Sequence, residues 1–220
     1  IIISLLIGIL FYRIEFIQKN PLVNVKGLKE NSKVISYLLQ TIAFGFASAM
    51  IFLLPPFIFE QLYHLGVGVT GFLVLGAPVG LVIFSRVSGK LNDGSKNITF
   101  SRLGLGIICL SLIFLVFLNP KWSYLFLTFG LFIYGVGGGY FQPANIASIM
   151  QASPMEMQGS TGALQRMVQN IAISAGSAVG STCLNLWPNN LLLATRIGWG
   201  ITLVLVIMSL KDMIFSKHNN

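Results

Sequence analysis

YGVGGGYFQPANIASIM, residues 134–150, and TGALQRMVQNIAISAGSAVG, residues 161–180, are the two runs whose reading decides the fold. The first places Gly135, Gly137, Gly138 and Gly139 in one turn and a half, where a helix in water would lose about 1 kcal/mol per glycine relative to alanine. In lipid an unpaired amide finds no water, so such a run stays helical. Its small residues then let neighbouring backbones approach closely. The second run carries Ala172, Gly176 and Gly180 at a spacing of four, which exposes a stripe of backbone along one face. Both runs therefore read as membrane helices packed around a common centre, with Gly135, Gly139, Gly176 and Gly180 as packing positions and a tilt or kink expected near Pro143.

The composition agrees. The 220 residues are 55% hydrophobic and only 9% charged, against roughly 25% charged in soluble domains. A hydrocarbon layer of about 30 Å asks for around 20 mostly apolar residues per helix. Six runs of that kind are expected at about 36–59, 71–87, 103–118, 124–150, 161–187 and 191–210, which makes the chain an all-α membrane protein. The formal charge of +8 is carried by Lys and Arg in the gaps between apolar runs, not on one solvated face beside aromatics, and so argues against a nucleic-acid partner. Cys109 and Cys183 lie inside separate apolar runs and read as packing thiols. With no cluster of His, Asp or Glu at membrane depth, the sequence offers no metal site, no catalytic constellation and no cofactor site, and an enzyme is not expected.

Residues 1–12 are apolar but too short to span and read as a truncated transmembrane helix. Residues 13–35 form a basic linker, 36–210 the six-helix body and 211–220 a polar tail. Pro55 and Pro56 are expected to kink or stop the first full helix. The run at 66–71 fits G-x-G-x-x-G, but no βαβ unit surrounds it, so it is not read as a dinucleotide site. Counted over alternate gaps, Lys and Arg number twelve on one side and two on the other, Lys121 and Arg196. The positive-inside rule then places the protein in the cell membrane as a multi-pass protein with its C-terminus cytoplasmic. Gly68 falls outside the cell and Asn97 inside, which leaves the Asn97-Ile98-Thr99 sequon unused.

Gly89-Lys90-Leu91-Asn92-Asp93 resembles the G-x-L-x-D loop motif of the major facilitator superfamily, found in the cytoplasmic link between the second and third helices of a six-helix half. The resemblance implies that Gly89 allows a close turn, that Leu91 belongs to the motif, and that Asp93 accepts hydrogen bonds from amides at a helix N-terminus. Gly94, Lys96 and Asn97-Ile98 depart from the motif's later basic and glycine positions. A second resemblance covers the gap and both organising runs. Pro143, Pro154-x-Glu156-x-x-Gly159, Gln165-Arg166-x-x-Gln169-Asn170 and Gly176-x-x-x-Gly180 look like the fourth and fifth helices of the second half in fourteen-span drug/proton antiporters of that superfamily.

This resemblance implies a C-terminal six-helix half of a major facilitator bundle, plus one truncated linker helix. Its partners are then a small-molecule substrate, the bilayer and an N-terminal half of the same transporter. It also implies proton-coupled efflux of drug-like amphipathic or cationic compounds, with a nutrient or siderophore transporter of the same fold, or a non-transporting half-transporter scaffold, as alternatives. The six acids, Glu15, Glu30, Glu60, Asp93, Glu156 and Asp212, all lie in gaps, at run ends or in the tail, so a coupling carboxylate is expected elsewhere in the transporter.

Residues 161–187 sort into faces by helical spacing. Gln165, Gln169, Ala172, Gly176 and Gly180 share one side with Asn170 and Ser177 beside them, and Val168 and Ile171 lie opposite. Polar groups at membrane depth are expensive unless they face protein or a wet cavity. Gln165, Gln169 and Asn170, with Gln142 and Asn145, therefore either line a substrate path or tie helices together. Arg166 is either part of that path or an anchor reaching for the interface.

Overall fold

The computed structural model describes residues 10, 13, 31–119 and 121–215. Most of the truncated helix expected at 1–12, most of the linker and the last five residues lie outside the described residues. Within them all regular structure is helical: α1 Ser32–Phe57, α2 Val67–Val74, α3 Gly76–Leu91, α4 Asn97–Val116, α5 Tyr124–Ala152, α6 Gln158–Leu186 and α7 Leu191–Phe215. The body extends past the expected 36–210 at both ends: α1 takes in the last residues assigned to the linker, and α7 takes in 211–215 of the tail.

Five helical segments are long and apolar enough to cross a membrane: Ser32–Leu62, Val67–Leu91, Asn97–Val116, Tyr124–Ala152 and Leu191–Met213. The sixth expected span, α6, has the length, 29 residues, but its Gln, Asn and Ser side chains keep it less apolar.

The double proline does not end α1. Pro55 and Pro56 sit inside it, and the helix runs on as a π turn over Ile58–Leu62. Two missing N–H donors loosen the ladder, which then widens: Tyr63 N–H bonds to Ile58 O at 3.1 Å, a five-residue step. The second run, expected at 71–87, is instead divided. Leu75 N–H turns to Phe72 O at 3.2 Å and closes α2, and Pro78 falls in the first turn of α3, where no donor is required.

The glycine run makes α5 the pillar of the bundle. A methyl group added at Gly135 would sit 2.1 Å from Ala77 O, and one at Gly139 2.7 Å from Ser85 N, so α3 lies directly on these two residues. Gly137 meets the backbone of Gly104 and Ile108 in α4, and Gly138 faces the ring of Phe44 in α1. One turn and a half of α5 thus holds two helices, α3 and α4, at backbone distance and seats the Phe44 ring of a third, which in lipid substitutes for the hydrophobic drive available in water. The α6 ladder does the same against α1: Gly176 abuts Phe46 and Ala49, Gly180 abuts Met50 and Leu53, and Gly45 of α1 returns the contact to Gln169 and Ala172. With α7 packed on α1 and α4, neighbours run α3, α5, α4, α7, α1, α6 around the bundle. The order leaves a gap between α3 and α6.

Candidate functional site

Helix termini sort into two ends. Asn31 Nδ2 donates to Ala152 O, Gln151 Nε2 to Gly94 O and Arg102 Nη2 to Met213 O. These bonds gather the starts of α1 and α4 and the ends of α3, α5 and α7. Lys33, Arg86, Lys90, Lys96, Arg102, Arg166 and Lys211 lie in helix turns or loops at that end, and Lys121 and Arg196 at the other. The first is called the basic end below.

At the basic end a neutral clamp holds the α3–α4 link. Asn92 donates to Asn97 Oδ1 at 2.6 Å, Asn97 donates to Gln151 Oε1 at 3.0 Å, and Gln151 donates to Gly94 O at 3.1 Å. Gly89, the expected turn glycine, instead lies in the last turn of α3 with nothing within 4 Å of a methyl placed on it. The helix simply continues to Leu91. The turn falls on Gly94, whose φ of +90° is the left-handed region glycine favours. Leu91 is exposed. Asp93 Oδ1 accepts from Ser95 N–H at 3.0 Å and from the Ser95 hydroxyl at 2.6 Å. These two bonds, the hydroxyl's first, hold its carboxyl below the usual carboxylate range.

The gap between α3 and α6 is a cleft of about 470 Å³ open on one side. α1 supplies Phe44, Ser48, Ala49, Phe52 and Leu53, with Leu81 from α3, Gln142 from α5, and Gln169, Ile173 and Ser177 from α6. Close packing builds this wall. Gly138 lets Phe44 lie beside α5, where its ring stacks on Tyr134 and tilts against Phe141. The Tyr134 hydroxyl meets Ser48 Oγ at 2.8 Å, and Ser48 also donates to Phe44 O. None of the ten lining residues is charged. The cleft can pack a flat ring against the exposed Phe52 and meet its polar edge with two amides and the Ser177 hydroxyl, which donate and accept. Ser48 Oγ gives its proton to Phe44 O and is left to accept.

The expected polar residues divide. Gln142 and Gln169 reach the cleft. Gln165 is buried and donates to Gln169 Oε1 at 3.1 Å within α6. Asn145 is buried and ties α5 to α1, donating to Thr41 Oγ1 at 2.9 Å and Tyr37 O at 3.3 Å. Asn170 is exposed on α6 in line with Ser174, away from the cleft wall. Ser48, Phe44 and Phe52 escaped the sequence reading, although their spacing of four marks one face of α1. In an apolar run, a serine and two phenylalanines on a stripe read equally well as lipid-facing or core.

A model of the Major Facilitator Superfamily matches residues 1–177. Among curated proteins the chain is 28% identical over 143 residues to the riboflavin transporter RibZ of Clostridioides difficile, covering 64% of this chain and 31% of that protein. It is 23% identical over 191 residues to the uncharacterized transporter YebQ of Escherichia coli, covering 86% of this chain and 41% of that one. The matched region thus spans well under half the length of either relative.

Proposed function

The chain belongs to the Major Facilitator Superfamily, a family of transporters and not of enzymes, and from that premise we propose that it forms one wall of the pathway through which a multi-pass secondary transporter moves a flat, largely uncharged heteroaromatic compound. The observation that carries the reading is the cleft's lining, in which Phe44 and Phe52 flank Ser48, Gln142, Gln169 and Ser177 with no ionised group. A cation entering such a wall would give up its hydration without a countercharge. A planar ring with amide and hydroxyl edges finds a partner for each feature. The riboflavin carried by one relative has that chemistry.

Substrate-path roles for Gln142 and Gln169 belong to this proposal, with Gln165 and Asn145 holding the wall from behind. Asn170 and Ser174 form a polar exposed strip on α6 that lipid would disfavour. We assign it to a second half of the transporter, the two halves rocking about a site near the membrane midplane. The basic end is assigned to the cytoplasm.

Proton-driven efflux of amphipathic or cationic compounds is the second reading, favoured by the resemblance of the motifs from Pro143 to Gly180 to fourteen-span antiporters. It requires a carboxylate from outside the cleft described here. Both readings are tested by expressing the full-length gene in a bacterium that can neither make nor import riboflavin. Growth on low external riboflavin supports the first; ethidium resistance without growth supports the second.

A further inference from the structure

One helical turn from the cleft, toward the basic end, α1, α4, α5 and α7 each bury polar atoms that have no hydrogen-bond partner in the protein. Gln40 of α1 is completely buried, and neither its Nε2 nor its Oε1 has a partner. Ser101 Oγ and Arg102 Nε of α4, Asn145 Oδ1 of α5 and Ser209 Oγ of α7 are also buried and unpartnered. Existing contacts put these groups at one level. Ser36, one turn before Gln40, donates to Asp212, one turn after Ser209. Arg102 reaches Met213 O. Gly104 abuts the backbone of Phe141, which in antiparallel helices sets Ser101 opposite Asn145.

Buried polar groups in folded proteins are almost always paired, with protein or with ordered water. The mixture here selects the ligand. Arg102 offers a donor, Gln40 two donors and an acceptor, Asn145 an acceptor, and the two serines one of each. An anion would be repelled by the two amide oxygens, and a cation by the guanidinium. Water donates and accepts in equal measure and suits such a ring. We propose that α1, α4, α5 and α7 enclose an ordered-water site at this level. Gln142 of the cleft stands three residues from Asn145 and Phe44 four from Gln40, so the site carries the polar lining of the cleft one turn further into the bundle. It does not depend on which compound the cleft takes.

The test is microsecond X-ray hydroxyl-radical footprinting of the purified full-length protein, in which water bound beside a buried side chain labels it. Leu105, a turn from Ser101, and Leu112, deep in the apolar core, are both wholly buried and equal in intrinsic reactivity. Labelling of Leu105 at least tenfold faster than Leu112 is expected, falling to the Leu112 rate in the Gln40→Leu/Ser209→Ala variant. Equal, slow labelling of the two leucines in the unaltered protein overturns the proposal, as does fast Leu105 labelling that persists in a folded variant.

Discussion

Gly135 of α5 lies so close to Ala77 of α3 that a methyl group on it would come within 2.1 Å of the Ala77 carbonyl oxygen. Backbone cannot give way as a side-chain tip can, so Gly135→Ala must push the two helices apart. Overpacking of this kind typically costs about 1–3 kcal/mol. Gly89→Ala meets open space and, being helical, gains up to about 1 kcal/mol. Thermal unfolding of the two purified variants should move in opposite directions; a Gly135→Ala protein as stable as the parent would mean the helices are not in backbone contact.

The neutral clamp at the basic end makes a separate forecast. In Asn97→Leu the bonds to Asn92 and Gln151 are lost, and each polar group left unpaired costs about 1–3 kcal/mol if it stays buried. Because Asn92 and Gln151 can turn to solvent, the expected result is release of the loop. Trypsin should cut after Lys90 or Lys96 many times faster than in the parent. Unchanged digestion would show that the link is held by other contacts.

Asp93 supplies the pH dependence. Its folded carboxyl titrates below the ordinary value of about 3.9, because it accepts from Ser95. A depressed folded value makes its contribution complete above the unfolded value and lost as pH falls through the folded one. The turn should therefore stay closed down to the acid side of pH 4. Carboxyl titration followed by NMR on carbon-labelled aspartate checks this: Ser95→Ala should raise the Asp93 midpoint toward the ordinary value, and no movement would remove the hydroxyl as its cause.

Membrane orientation can be read with single cysteines, provided the probe sits where the structure exposes it. Asn97 is buried and bonded, whereas Ser95 and Gly68 are exposed. In sealed cells an impermeant maleimide should label a cysteine at 68 and spare one at 95. The opposite pattern would invert the assignment of the basic end.

These positions show what could be read in advance. The small residues at 135, 139, 176 and 180 declare close packing by themselves, because nothing else explains glycine there. The seven-to-two grouping of Lys and Arg over residues 31–215 followed from counting gaps. Pro55 and Pro56 misled because a helix can absorb two lost donors by widening to a π turn, an outcome local rules do not specify. Gly89 misled because a five-residue motif does not say where its helix ends; the positive φ at Gly94 does. The Asn92, Asn97 and Gln151 clamp joins residues more than 50 apart, and the Phe44, Ser48 and Phe52 stripe acquires meaning only once α6 is known to stop short of α3.

The central claim is that the cleft of α1, α3, α5 and α6 takes an uncharged, flat ring edge-on to its two glutamines. Equilibrium binding of riboflavin to the purified full-length protein, followed by flavin fluorescence, measures this directly. A good paired hydrogen bond to a polar ligand group is worth about 1–3 kcal/mol once its loss leaves the partner unpaired, so Gln169→Leu should weaken binding roughly tenfold or more. Gly89→Ala, far from the cleft, should leave it unchanged, and ethidium should not compete. Ethidium binding that displaces riboflavin, or riboflavin binding indifferent to Gln169→Leu, would contradict the account.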